Sequence, residues 1–67
     1  MKFNWDNNRC KVGIFTLNLW GYHFVVYCGV SDYPVHESET HATKDEAKRA
    51  AEQWFLSMYA DLTKAMD

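Results

Sequence analysis

Proline occurs once in this 67-residue chain, glycine three times and cysteine twice. So little proline and glycine excludes collagen-like and low-complexity linker compositions. Two cysteines allow one disulfide at most, too few for a stapled scaffold or a four-cysteine zinc site. Charge of one sign is also scarce. Seven Lys and Arg against nine Asp and Glu leave a formal net charge of −2, so the chain lacks the basic excess that binds phosphate backbones. The near balance equally weakens mimicry of nucleic acid by an acidic surface.

Aromatic side chains are plentiful: three Trp, four Tyr and four Phe. In a chain that buries roughly 60% of its unfolded surface, such large side chains offset a small core volume and argue against disorder. One domain, residues 1–67, is the expected organisation, since no repeat or linker composition interrupts the chain.

From Val12 to Val30 the chain carries no charge. A membrane-spanning helix behind Arg9 and Lys11 is one reading of that run. Thr16, Asn18, His23 and the spaced Gly13, Gly21 and Gly29 make it a poor helix, and its β-branched and aromatic residues favour strands. The run is therefore read as one hairpin folded about Trp20-Gly21. Leu19 then faces Tyr22, Leu17 faces Phe24, Phe15 faces Val26 and Gly13 faces Cys28, all on the core side. Val12, Ile14, Thr16 and Asn18 against His23, Val25 and Tyr27 form the other side, too apolar for plain solvent surface and too polar for a second core. Cys10, by continued alternation, falls on that side too, away from Cys28. Two free thiols and no secretory signal place the chain in a reducing cytoplasm.

Flanking the hairpin, Phe3 and Trp5 alternate with polar residues in a short first strand, and Asp6-Asn7-Asn8 reads as a turn. Ser31 to Pro34 is a loop, and Val35 to His41 a short polar edge strand whose Glu37 and Glu39 discourage edge pairing. Thr43-Lys44-Asp45-Glu46 is a capping box, with Glu46 reaching back to the Thr43 N–H. The helix it opens runs to about Ala65. Its apolar arc of Ala47, Ala50, Ala51, Trp54, Phe55, Met58, Tyr59, Leu62 and Ala65 covers the Phe15/Leu17/Phe24 face. Leu56 and Ala60 lie on its far side, as a secondary contact for a partner. The expected fold is α+β: a three- or four-stranded antiparallel sheet with one long C-terminal helix on one face.

Chemistry is not spelled out. His23, His36, His41, Cys10 and Cys28 match no metal-ligand spacing. Ser31, Ser38 and Ser57 have no nucleophile context, and the glycines form no phosphate loop. No catalytic residue, metal or cofactor is assigned, and the chain is read as a non-enzyme.

Residues 24–56, ending in Thr43-Lys44-Asp45-Glu46-Ala47-Lys48-Arg49-Ala50-Ala51, resemble the tail of double-stranded-RNA-binding domains, with Asp45 in place of that motif's central lysine. The resemblance implies nucleic-acid contact through Lys44, Lys48 and Arg49. In its general make-up, a compact aromatic-rich chain of mildly acidic charge, the protein also resembles small bacteriophage accessory proteins of the anti-CRISPR and host-defence-inhibitor kind. That resemblance implies a module that blocks a bacterial host protein or complex in the host cytoplasm without chemistry. The exposed sheet face supplies the surface: Ile14, Thr16, His23, Val25 and Tyr27 at its centre, with Trp5, Trp20 and Tyr22 at its edges, since aromatic side chains make good anchors. A homodimer closed through the same face is the other protein occupant; a membrane is not expected.

Overall fold

The computed structural model of the chain describes residues 3–30 and 32–59. Five strands precede one helix: β1 (Trp5–Asp6), β2 (Arg9–Val12), β3 (Phe15–Trp20), β4 (His23–Cys28), β5 (His36–Glu37) and α1 (Lys44–Met58). Each strand pairs antiparallel with the next, in the order β1-β2-β3-β4-β5. The α+β class stands, with five strands in place of three or four. No helix among the described residues is long and apolar enough to cross a membrane.

Two-residue turns generate the first four strands, and one backbone requirement governs all three. The first turn residue has positive φ, at Asn7 (61°), Gly13 (61°) and Gly21 (66°), and the second does not. That is the pattern of a type II′ hairpin turn, whose twist matches the flanking strands. A Cβ added at Gly13 or Gly21 would touch nothing within 4 Å. The left-handed φ, not crowding, is what calls for glycine there.

The turns correct the expected pairing in two places. Because Gly21 must come first in its turn, Trp20 pairs with His23, Leu19 with Phe24, Leu17 with Val26 and Phe15 with Cys28. The expected pairing, turned about Trp20-Gly21, is off by an even number of residues, so every side chain of β3 and β4 keeps its expected face. Gly13 acts differently. The chain reverses there, placing Val12 opposite Phe15 and Cys10 opposite Leu17; facing residues share a side, so Cys10 and Val12 belong to the core and not to the outer face. Both cysteines now lie on the helix side, and both are free.

The core combines Cys10, Val12, Phe15, Leu17, Leu19, Phe24 and Val26 from the sheet with Ala47, Ala51 and Phe55 from α1. The alanines bring the helix backbone close to β3 and β4, and Phe55 fills the space that opens beyond them. Its ring meets Phe3 edge-on at 6.1 Å and Phe15 at 5.4 Å, and lies 5.0 Å from Tyr59. Trp54 is half-buried at the flank, and Met58, expected inside, is 61% exposed.

The capping box forms with one change. Thr43 Oγ1 accepts the Glu46 N–H at 3.1 Å, but Glu46 Oε2 accepts the N–H of Ala42, at 3.3 Å, instead of that of Thr43. At the other end Tyr59 leaves helical geometry (φ −126°, ψ 42°) while its N–H still bonds the Phe55 carbonyl at 2.9 Å. The helix thus ends at Met58, short of the expected Ala65; Ala60, Leu62 and Ala65 lie outside the described residues. Likewise β5 is only His36–Glu37 within the expected 35–41 segment.

Phe55→Ala should cost about 3–5 kcal/mol, comparable to the whole stability expected of so small a core. Urea titration followed by circular dichroism checks this, and a variant still cooperatively folded with an unchanged midpoint would contradict the packing described.

Candidate functional site

The sheet face away from α1 is built in cross-strand rows. Lys11, Thr16 and Tyr27 form one; Asp6, Arg9, Asn18, Val25 and Glu37 form the next; Trp20 and His23 form the last. Thr16, Trp20, His23, Val25 and Tyr27, all expected on this face, are therefore brought together. Trp20 is 56% exposed, a large flat side chain held on a strand.

Val25 departs from expectation in its exposure, which is only 5% although no helix covers this side. Its cover is local. Glu37 of β5 stands directly opposite it, and a shallow recess of about 380 Å³ is walled by Trp20, His23, Tyr27, Pro34 and Glu37 around it. His23 Nε2 lies 3.7 Å from Glu37 Oε1 across the rim, with the Glu37 side chain well hydrated, so the pair adds little stability. Arg9, Lys11, Pro34 and Glu37 were not expected here. The alternation of Arg9 and Lys11 with Cys10 and Val12 carries the signal for the first two, once the turn at Gly13 is recognised.

Three of the expected residues fall elsewhere. Ile14 (65% exposed) is in the β2–β3 turn and Tyr22 (52% exposed) in the β3–β4 turn. These turns close opposite ends of β3, so no single compact patch contains both. Trp5 is on the helix side, because it pairs with Cys10. Its Nε1–H donates to Glu52 Oε2 at 2.8 Å, and Lys48 Nζ lies 5.6 Å from its ring centre. Trp5 thus clamps β1 to α1 and is half-buried.

That contact also bears on the basic helix start. Lys44 and Arg49 are exposed, whereas Lys48 is half-buried over Trp5. At 100° per residue Arg49 points well away from the Lys44/Lys48 side, so the three cations do not converge on one face.

Among the described residues no three His, Cys, Asp or Glu side chains cluster as metal ligands. Burial raises the Cys10 thiol above its ordinary pKa; a backbone hydrogen bond from Asn4 opposes this in part, and the Glu52 carboxylate reinforces it. A nucleophilic thiolate needs the reverse environment.

No family, no curated protein and no solved structure matches the chain.

The Cys10 environment gives a direct expectation. In the folded protein at pH 8 a thiol reagent should label Cys10 far more slowly than Cys28, with both labelled at similar rates in denaturant. Rapid labelling of native Cys10 would contradict its placement between strand and helix. The sign of the linkage is that of an acid whose folded pKa is raised: the stability it contributes is complete below the unfolded thiol's pKa and is lost as pH climbs through the folded one.

Proposed function

We propose that this protein is a non-enzymatic binding module that covers a surface of a bacterial host protein or complex with the outer face of its sheet, as small phage or mobile-element inhibitors of host defence do. The observation that carries the reading is Trp20, more than half exposed beside His23 on a hydrogen-bonded ladder and walling a recess together with Tyr27. An indole is large and has only two side-chain torsions, so little rotamer freedom is lost for the area it buries on binding. The sealed Val25 gives that patch a dry floor. Small size, many aromatics and near-balanced charge are what support the inhibitor part of the reading.

Val25→Asp is no test of this face, because it buries a carboxylate and would unfold the sheet. Trp20→Glu and Thr16→Arg alter side chains on the face away from α1 and leave the helix-side core intact. Each should keep the cooperative urea transition, with a loss of no more than about 1 kcal/mol, yet abolish co-purification of the host complex that wild type and Met58→Glu retain from bacterial lysate. Undiminished capture by Trp20→Glu overturns the reading. Salt-sensitive binding to duplex RNA, lost in Lys44→Glu with Lys48→Glu, would favour the helix start instead.

A further inference from the structure

A second surface, independent of the outer face, lies where the sheet edge meets the helix. The segment from β5 to His41 and the flank of α1 bound an open groove of about 560 Å³. Its wall is aromatic. His36 stacks on Trp54 at 4.5 Å and 19° and lies 5.5 Å from Phe24, while His41 stacks on Phe24 at 6.3 Å and 15°. Its rim carries Glu39, with Glu37 contributing at the strand while its carboxylate turns toward His23, and among the described residues no Lys or Arg lines it. In addition, His41 Nε2 is buried with no hydrogen-bond partner, a cost that the groove's own residues leave unrelieved.

The backbone at this edge is directional too. The N–H groups of Val35 and Ser38 are used on the Val26 and Phe24 carbonyls, at 2.7 and 2.9 Å, and that of His41 on the Tyr22 carbonyl, at 2.7 Å. Ser38 Oγ accepts the Phe24 N–H and donates to the Glu39 carbonyl, both at 2.9 Å. By alternation the Glu37 N–H and C=O point away from β4. β5 is last in the sheet order, so among the described residues no strand meets them.

We propose that this groove receives an extended segment of a partner protein that carries an arginine. The segment pairs with the outer edge of β5, the strand-addition mode of peptide recognition, and its arginine enters between the edge and α1. Charge complementarity selects the side chain: the Glu39 carboxylate on the rim and the aromatic wall of Trp54 and His36 both attract a cation. A planar guanidinium stacks on such rings and forks onto carboxylates in a way an ammonium cannot. The unpartnered His41 Nε2 is one more polar atom at the groove for a bound segment to satisfy. This contact is separate from the outer-face reading and stands or falls without it.

The test uses a capped pentapeptide, Ac-Val-Thr-Arg-Thr-Val-NH₂, its citrulline counterpart and arginine amide alone, titrated into the full chain with backbone amide shifts as readout. The expected result is saturable shifts confined to residues 36–41 and 50–57, with the citrulline peptide and arginine amide each roughly tenfold weaker or more. Glu39→Lys and Gln53→Lys, both at exposed positions, should weaken the arginine peptide by a similar factor while keeping the wild-type spectrum elsewhere, and Trp20→Glu should leave it unchanged. Equal binding of the citrulline peptide removes the cation, equal binding of arginine amide removes the strand, and shifts at Thr16 or Trp20 remove the location. Absence of any shift at millimolar peptide overturns the proposal outright.

Discussion

The left-handed first residue of each tight turn is the constraint on which this molecule depends. With Asn7, Gly13 and Gly21 at positive φ, the reversals fall after Asp6, Val12 and Trp20, and the partner of every residue in β1 to β4 follows. Register in turn decides which side chains face the helix. A pairing slipped by an odd number of residues would put Leu17 on the side opposite Phe24 and Val26 and set polar side chains such as Asn18 or His23 beneath α1, exchanging a dry core for unsatisfied polar groups.

One helix of 15 residues cannot cover a five-stranded sheet on both sides. Its alanines settle on β3 and β4, Phe55 closes the core, and two further contacts tie the periphery. On one flank Trp5 hydrogen-bonds Glu52 beneath Lys48; on the other His36 stacks on Trp54. The flanks differ in consequence. The Trp5 side is sealed by indole, carboxylate and ammonium, while the β5 side ends in a two-residue strand whose edge and aromatic wall stay open among the described residues. Asymmetric closure is thus what gives the protein a groove as well as a face.

The outer face achieves by neighbours what the inner face achieves by a helix. Val25 is covered by the side chains and loop around it, with Glu37 and Pro34 brought over from beyond β4. A surface built in this way has a fixed apolar centre and a charged margin of Arg9, Lys11 and Glu37, the distribution found at protein-binding sites. The deeply buried Cys10 thiol lies on the other side of the sheet.

Local rules made much of this legible in the sequence. The capping box at Thr43 located the helix start, strand alternation assigned Phe15, Leu17, Phe24 and Val26 to one side, and Thr16, Val25 and Tyr27 to the other. Alternation fails where it is carried through Gly13: the turn re-phases it, so Cys10 and Val12 belong inside, although a lone Gly in an uncharged run is a weak signal of reversal. Trp5 changes side for the same reason, as its face depends on pairing with Cys10. The sealing of Val25, the short β5 and the groove beside Trp54 depend on residues brought together from distant positions, such as Pro34 and Glu37 over Val25 or His36 and His41 against α1. Periodicity and turn chemistry are properties of neighbours along the chain and can be read there; cover and cavities are properties of neighbours in space, and only packing creates them.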